Sequence, residues 1–233
     1  MMRLQLFLSS AFMASLLCLS PAAHSQPTGL LYDPEPPADS GYVRVIHTGR
    51  SDAMDVSVDG GIRVRSLPSN KFSDYLVLKA GKHALSIHPA GKPAARLPTT
   101  IDVAAGRALT LALTALGSDK APIVLEDKLS SNKLKAQLAI YHLDGNAGAL
   151  NILTADGKTQ VFSNANFGTT ASVQVNPISV DLIAARAGEK TPQARTSFSM
   201  TQGDSYSLLI FSSNEKKLTL KITQNKTERY IGK

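Results

Sequence analysis

A period of two runs through this chain and limits what it can fold into. Over 42–47, Val43, Val45 and His47 share one phase, and over 54–58 Met54, Val56 and Val58 do. Ile62 and Val64 alternate with Arg63 and Arg65. Leu85 with Ile87, Ile101 with Val103, and Leu109, Leu111 and Leu113 continue the pattern. Such alternation puts one side of a strand in a core and the other in water. Turn sequences punctuate the runs: Asp59-Gly60-Gly61, Ala80-Gly81-Lys82, Pro89-Ala90-Gly91 and Ala105-Gly106. No stretch shows the 3.6-residue period of an amphipathic helix.

The same order of signals then restarts. Leu138, Ile140 and His142 stand where Val43, Val45 and His47 stood, and Asp156-Gly157 where Asp59-Gly60 stood. Phe167 falls against Phe72, and Gly188 against Gly91. Phe198-Ser199-Met200 before Gly203 falls against Ile101-Asp102-Val103 before Gly106, and Leu218, Leu220 and Ile222 against Ile123 and Leu125. The offset stays at 95–97 residues throughout. This is a diverged duplication of a unit with seven or eight short strands, the pattern of an immunoglobulin-like β-sandwich. The predicted architecture is all-β, with two tandem β-sandwich domains, at 41–126 and 136–226. The polar stretch 127–135 is the linker between them, and 227–233 a C-terminal tail.

Ahead of the first sandwich lie two segments of other character. Arg3, an apolar run from Leu4 to Leu19 and the small residues Ala23 and Ser25 read as a signal peptide over 1–25, cleaved between Ser25 and Gln26. The run is shorter than the roughly 20 residues a membrane span needs. The expected location is therefore the bacterial periplasm, with no stable membrane insertion. Residues 26–40 carry Pro27, Pro34, Pro36 and Pro37, so they form an extended arm.

Most chemistry is argued against by residue type and spacing. The only cysteine is Cys18, inside the predicted signal peptide, which leaves no disulfide, cysteine-zinc site or thiol nucleophile after it. His83 and His88 are five apart and point to opposite faces of one strand, so they do not grip one metal ion. His47 and His142 are duplicates at strand ends, which reads as packing. Gly203-Asp204-Ser205 resembles the nucleophile block of SGNH-type esterases. The last histidine, His142, precedes it, however, and the block sits at the hairpin position that Gly106-Arg107 occupies in the first unit. No phosphate loop, paired carboxylates, metal site or cofactor motif is visible. Lys and Arg number 25 against 18 Asp and Glu, a formal charge of +7. The excess is spread over both units and reads mainly as solvated surface. In an exported protein its functional reading is attraction to an acidic polysaccharide or partner rather than to nucleic acid. With 6% aromatic residues and no Trp, stacking platforms for sugars are scarce.

The arm and first strand carry a resemblance. Leu31-Tyr32-Asp33-Pro34, then Pro37, then Ser40-Gly41-Tyr42-Val43-Arg44-Val45, is similar to the opening of the AlgF family of periplasmic alginate O-acetylation proteins. Thr154-Ala155-Asp156-Gly157-Lys158-Thr159 and Val175-Asn176-Pro177-Ile178-Ser179-Val180 resemble family segments at matching places. Asp33 departs from the small residue expected in the arm, and 90–98 is longer than expected. The resemblance implies a non-catalytic adaptor for exopolysaccharide O-acetylation, most naturally of alginate. Its partners would be a periplasmic SGNH-like acetyltransferase and the membrane acyltransferase that feeds it. Alternatives are the equivalent accessory protein of cellulose acetylation, or a carbohydrate-binding module for an acidic polysaccharide.

The partner-binding residues expected on this reading are Leu31, Tyr32, Pro34 and Arg44. Prolines pre-extend the arm, so Leu31, Tyr32 and Pro34 lose little ordering entropy on docking. The competing structural reading has the arm fold back over a sheet edge. Arg44 lies opposite in phase to Val43 and Val45, so it is expected to face outward and add a charge contact.

Overall fold

The computed structural model describes residues 35–48, 52–92, 97–114, 121–189, 191–213 and 217–230. Sixteen strands and no helix occur among them. The first eight are β1 (Ser40–His47), β2 (Met54–Val58), β3 (Gly61–Leu67), β4 (Leu76–Lys79), β5 (Gly81–Pro89), β6 (Leu97–Val103), β7 (Ala108–Leu113) and β8 (Ile123–Asp127). The second eight are β9 (Ala136–His142), β10 (Leu150–Thr154), β11 (Gln160–Ala165), β12 (Thr170–Val175), β13 (Ile178–Arg186), β14 (Pro192–Met200), β15 (Ser205–Ser212) and β16 (Leu218–Gln224).

The strands form four sheets in two matching pairs. β4-β1-β7-β8 and β3-β2-β5-β6 face each other across a core that includes Val43, Val45, Val56, Leu85, Ile87 and Leu111. β12-β9-β15-β16 and β11-β10-β13-β14 do the same across Leu138, Ile140, Ile152, Leu182, Leu208 and Ile210. β1 pairs with β7, and β9 with β15, in parallel; the remaining strand pairs are antiparallel. The structure is thus all-β and built of two β-sandwiches, as the alternation implies.

The duplication extends to register. Ala108 pairs with Tyr42 on one side and Asp127 on the other. Ser205 pairs with Gln137, and its carbonyl accepts from Asn225 N. This makes Asp127 and Asn225 twins, and likewise Thr110 and Ser207, and Arg44 and Ala139. Gly106 (φ 69°) and Gly203 (φ 81°) turn the equivalent hairpins in the left-handed region, where glycine carries no steric penalty. The Gly203-Asp204-Ser205 block is therefore a strand connection. One sequence correspondence shifts. Asn70 N and Gly168 N both donate to the carbonyl of the duplicated histidine. Phe72 bridges Ile46 and Thr170 pairs with Tyr141, so the partner of Phe72 is Thr170 and not Phe167. The apolar residue is kept near, but the loop length differs.

A third apolar cluster lies between the sandwiches. Ile46, Phe72, Ala112 and Leu125 of the first meet Ala139, Tyr141, Leu143, Leu209 and Phe211 of the second. The layers therefore stack as outer sheet, inner sheet, inner sheet, outer sheet. The two inner sheets are covered on both faces, and β9 is buried along its whole length. Residues 128–135 join β8 to β9.

Candidate functional site

Only one of the four expected partner-binding residues, Arg44, lies in the described part; Leu31, Tyr32 and Pro34 lie outside it, as does the predicted signal peptide. Arg44 does not face solvent. Its side chain points away from the first sandwich's own core, as its phase requires, yet the residue is only 1% exposed because the second sandwich covers that face. The expectation of an outward charge contact is corrected here: phase along a strand says which face a side chain takes, not whether another layer packs on it.

The guanidinium is held from both sandwiches. Nε donates to Thr110 Oγ1 at 2.9 Å, within the first. Nη1 donates to Asn225 Oδ1 at 2.8 Å, and Nη2 to Tyr141 Oη at 2.7 Å and Ser207 Oγ at 2.9 Å, all in the second. The acceptors pass their own protons on. Thr110 Oγ1 donates to Asp127 Oδ2 (2.5 Å), Tyr141 Oη to Asp127 Oδ1 (2.7 Å), and Ser207 Oγ to Asn225 Oδ1 (2.7 Å). Tyr75 Oη also donates to Asp127 Oδ2 at 2.7 Å. Asp127 Oδ2 stands 3.8 Å from Arg44 Nε, so the pair is a buried ion pair bridged by hydroxyls. Rings complete the enclosure, with the guanidinium carbon 4.2 Å from the Phe72 centroid, 4.5 Å from Tyr75 and 5.0 Å from Tyr141.

Burial decides the protonation of the phenols. It pushes the Tyr141 hydroxyl up to about 12, against the opposing pull of the Arg44 charge, and raises Tyr75 further still. Both stay neutral donors to Asp127. A buried ion pair needs its remaining hydrogen-bonding capacity satisfied to survive desolvation, and here hydroxyls and an amide oxygen from both sandwiches supply it. The arrangement is a lock between two sandwiches, not an acid–base pair open to a substrate.

Asp127, Asn225, Thr110 and Ser207 escaped the sequence reading because their types are ordinary at strand ends. Asp127 fell in the polar linker by composition but closes β8. The amide oxygen of Asn225, a residue just past the end of β16, accepts from Arg44 and Ser207. A signal did exist. Leu208-Leu209-Ile210-Phe211 is apolar in both phases, which marks a strand buried on both faces.

The remaining titratable candidates are engaged in structural bonds. Leu67 O accepts from His47 Nε2 at 2.9 Å, and Gly148 O from His142 Nε2 at 2.8 Å. The duplicates thus do the same packing job, and burial lowers both pKa values. His83 lies 2.6 Å from Asp59, whose carboxylate raises the imidazole's pKa. On the outer face of the first sandwich, His88 and Ser57 stand 3.5 Å apart beside Asp55, too far for an activated nucleophile. Asp55 is committed to the amides of Ser66 (2.7 Å) and Gly91 (3.0 Å). No group of three or more His, Cys, Asp or Glu able to hold a metal ion occurs among the described residues. No helix among them is long and apolar enough to cross a membrane.

Comparison with known proteins adds the following. A family model described as a domain of unknown function (DUF4397) matches residues 41–153, from β1 to β10. The alginate biosynthesis protein AlgF of Pseudomonas aeruginosa is 28% identical over 154 residues, 66% of this chain and 65% of that protein, just under two thirds of its length. AlgF of Pseudomonas putida is 25% identical over 177 residues, 76% of each chain. Among solved structures, the C-terminal domain of the P. aeruginosa AlgF matches at 24% identity and a TM-score of 0.33, covering 40% of this chain and all of that domain.

Proposed function

We propose that this chain, which is similar to the alginate biosynthesis protein AlgF of two Pseudomonas species, is a non-catalytic periplasmic adaptor for O-acetylation of an exopolysaccharide, alginate in the first instance. It would act by binding the periplasmic acetyltransferase and the membrane acyltransferase that supplies it. The alginate biosynthesis proteins to which it is similar support the pathway. The observation that carries the adaptor reading is the seam. Arg44, fully buried, and its carboxylate partner Asp127 are consumed in joining two sandwiches, which gives a rigid two-part body suited to holding partners in place.

The arm fits the docking role better than the covering role. It enters the first sandwich at Asp39, beside the end of β4, where Asp39 O accepts from Ala80 N. The edge of β4 is already held by the C-terminal segment, which bridges Tyr75 to Thr227. On this proposal Leu31, Tyr32 and Pro34 dock on a partner. The test is a chain lacking residues 26–37. It should melt as the full mature chain does, yet fail to co-purify with the acetyltransferase and fail to restore polymer acetylation in a null strain. Normal co-purification and normal acetylation overturn the reading.

The basic excess, 25 Lys and Arg against 18 Asp and Glu, favours a second reading in which the acidic polymer is held directly. Saturable binding of oligouronates at physiological salt would establish it; binding that vanishes on adding salt would mark it as diffuse charge attraction.

A further inference from the structure

The outer sheet of the second sandwich carries a groove that plays no part in the seam. In β13, Val180 and Leu182 pack into the core, so Ser179 and Asp181 take the outer face. In β14, Phe198 and Met200 pack inward and leave Ser197 and Ser199 outside. Register sets Ser179 beside Ser199 and Asp181 beside Ser197, and all four are exposed. The hairpin from β10 to β11 borders them. Ala155 N donates to Asp181 O at 2.9 Å, which seats that hairpin along β13 and brings Thr154 and Asp156 to the groove. Its volume is about 610 Å³, within the range of ligand clefts, roughly 300–1,000 Å³.

The lining side chains include four hydroxyls and two carboxylates and, among the described residues, no Lys, Arg or His. Lys158 and Arg195 come two residues from Asp156 and Ser197 but lie outside the lining. Much of the polar capacity is unspent. Ser179 Oγ and Ser199 Oγ share one hydrogen bond at 2.6 Å, which leaves one of their two protons free. Asp156 Oδ1 accepts from Thr154 Oγ1 (2.5 Å) and Lys158 N (3.1 Å). Asp156 Oδ2 and the side chains of Asp181 and Ser197 have no hydrogen-bond partner among the described residues. The duplicate face of the first sandwich is built otherwise. Lys82 stands opposite Asp102 where Ser179 stands opposite Ser199, and Ala84 opposite Thr100 where Asp181 stands opposite Ser197. Asp59 spends both carboxylate oxygens, on Ala84 N and on His83.

A hydroxyl both donates and accepts, whereas a carboxylate only accepts. A ligand that satisfies both must carry donors and acceptors side by side, as the hydroxyls of a sugar do. A lysine or arginine side chain only donates and would leave the serine protons unmatched. A polyuronate would bring its own negative charges against Asp156 and Asp181. We infer that this groove is a binding site for a neutral sugar chain, a different ligand from the acidic polymer considered above. The inference does not rest on the adaptor reading, since a chain that binds no sugar can still join an acetyltransferase to its supplier.

The test is titration of the full mature chain at physiological salt with cellohexaose, maltohexaose and mannohexaose. An oligouronate and a lysine-rich peptide of like length serve for comparison. At least one neutral sugar should bind saturably and shift the amide resonances of Ser179, Asp181 and Ser197. Asp181→Ala should weaken that binding about tenfold, the loss of one hydrogen bond to a charged group. Its melting should not change, because the Asp181 side chain holds nothing else among the described residues. Ser197→Leu, which fills the groove and leaves both carboxylates, should abolish binding, and decides alone should the first variant melt lower. Saturation by none of the three sugars overturns the inference. So do shifts confined to other strands, tighter binding of the oligouronate or the peptide, and variants that bind as the unaltered chain does.

Discussion

The two sandwiches share strand order, register and hairpin geometry, and differ in what they put on the faces outside their own cores. On the inner face, Arg44 in the first stands where Ala139 stands in the second, while the twins Thr110 and Ser207, and Asp127 and Asn225, all converge on the one guanidinium. A second arginine at 139 would bury two like charges against one carboxylate, so the seam requires the duplicates to be unequal. On the outer face, Asp55 and Asn151 act alike, since each accepts from the amide of a left-handed residue, Ser66 or Asn164, both at φ 49°. Around them the first sandwich has Ser57 and His88 where the second has Leu153 and Ala185. The frame of an eight-strand sandwich thus tolerates polar or apolar outer residues. What it does not tolerate is loss of the cap on a strained turn, or symmetry at the seam.

Arg44→Ala probes that contrast hardest. It should cost about 3–5 kcal/mol in equilibrium unfolding, because it strands Asp127 in the seam. Removing the charge as well, in Arg44→Ala with Asp127→Asn, should recover part of the loss. Equal stability of the single and double variants would show that Asp127 is not the reason. Next, Asp55→Asn should cost about 1–3 kcal/mol. The amide that replaces one oxygen cannot accept from Gly91 N, whereas Asn151 needs only one acceptor.

The pH dependence separates shared from unshared chemistry. Burial lowers His47 and His142. Each neutral histidine therefore contributes stability that is complete above the unfolded value of 6.5 and lost as pH falls below it. Replacing both with Asn should flatten the melting temperature between neutral pH and pH of about 5. Asp55 acts lower. The Gly91 and Ser66 amides depress its pKa, so its contribution is present above the ordinary carboxylate range and lost as pH falls through the depressed value. Asp55→Asn should weaken acid unfolding without touching the histidine window. The smallest effect is expected at Glu126, whose exposed ion pair with Arg107 has no counterpart among the described residues of the second sandwich. Glu126→Gln should change stability by no more than about 0.5 kcal/mol; a larger loss would show that the pair orders the end of β8.

The arrangement of partners across the seam also bears on how the halves hold together. Protein cleaved within residues 128–135 should elute as one species, since the apolar layer and the Arg44 network cross the cut. Fragments that separate on elution would show that the linker, not the seam, joins the sandwiches.

Strands, turns and the duplication were all legible in the residues. Each of these is local: alternation follows from the two-residue repeat of a strand, and left-handed turns favour glycine wherever they occur. The resemblance was legible too, through short motifs whose order survives divergence. The fate of Arg44 was settled elsewhere. Its phase could be read, and so could the doubly apolar run of β15. That the outward faces of β1 and β9 meet depends on how two sandwiches pack, and no local period encodes that. Asp127 and Asn225, ordinary polar residues at strand ends, acquire their role only because the second sandwich brings Tyr141 and Ser207 to the guanidinium. Placing one charge among partners more than 60 residues away is the work of long-range packing, which no short stretch of chain can specify.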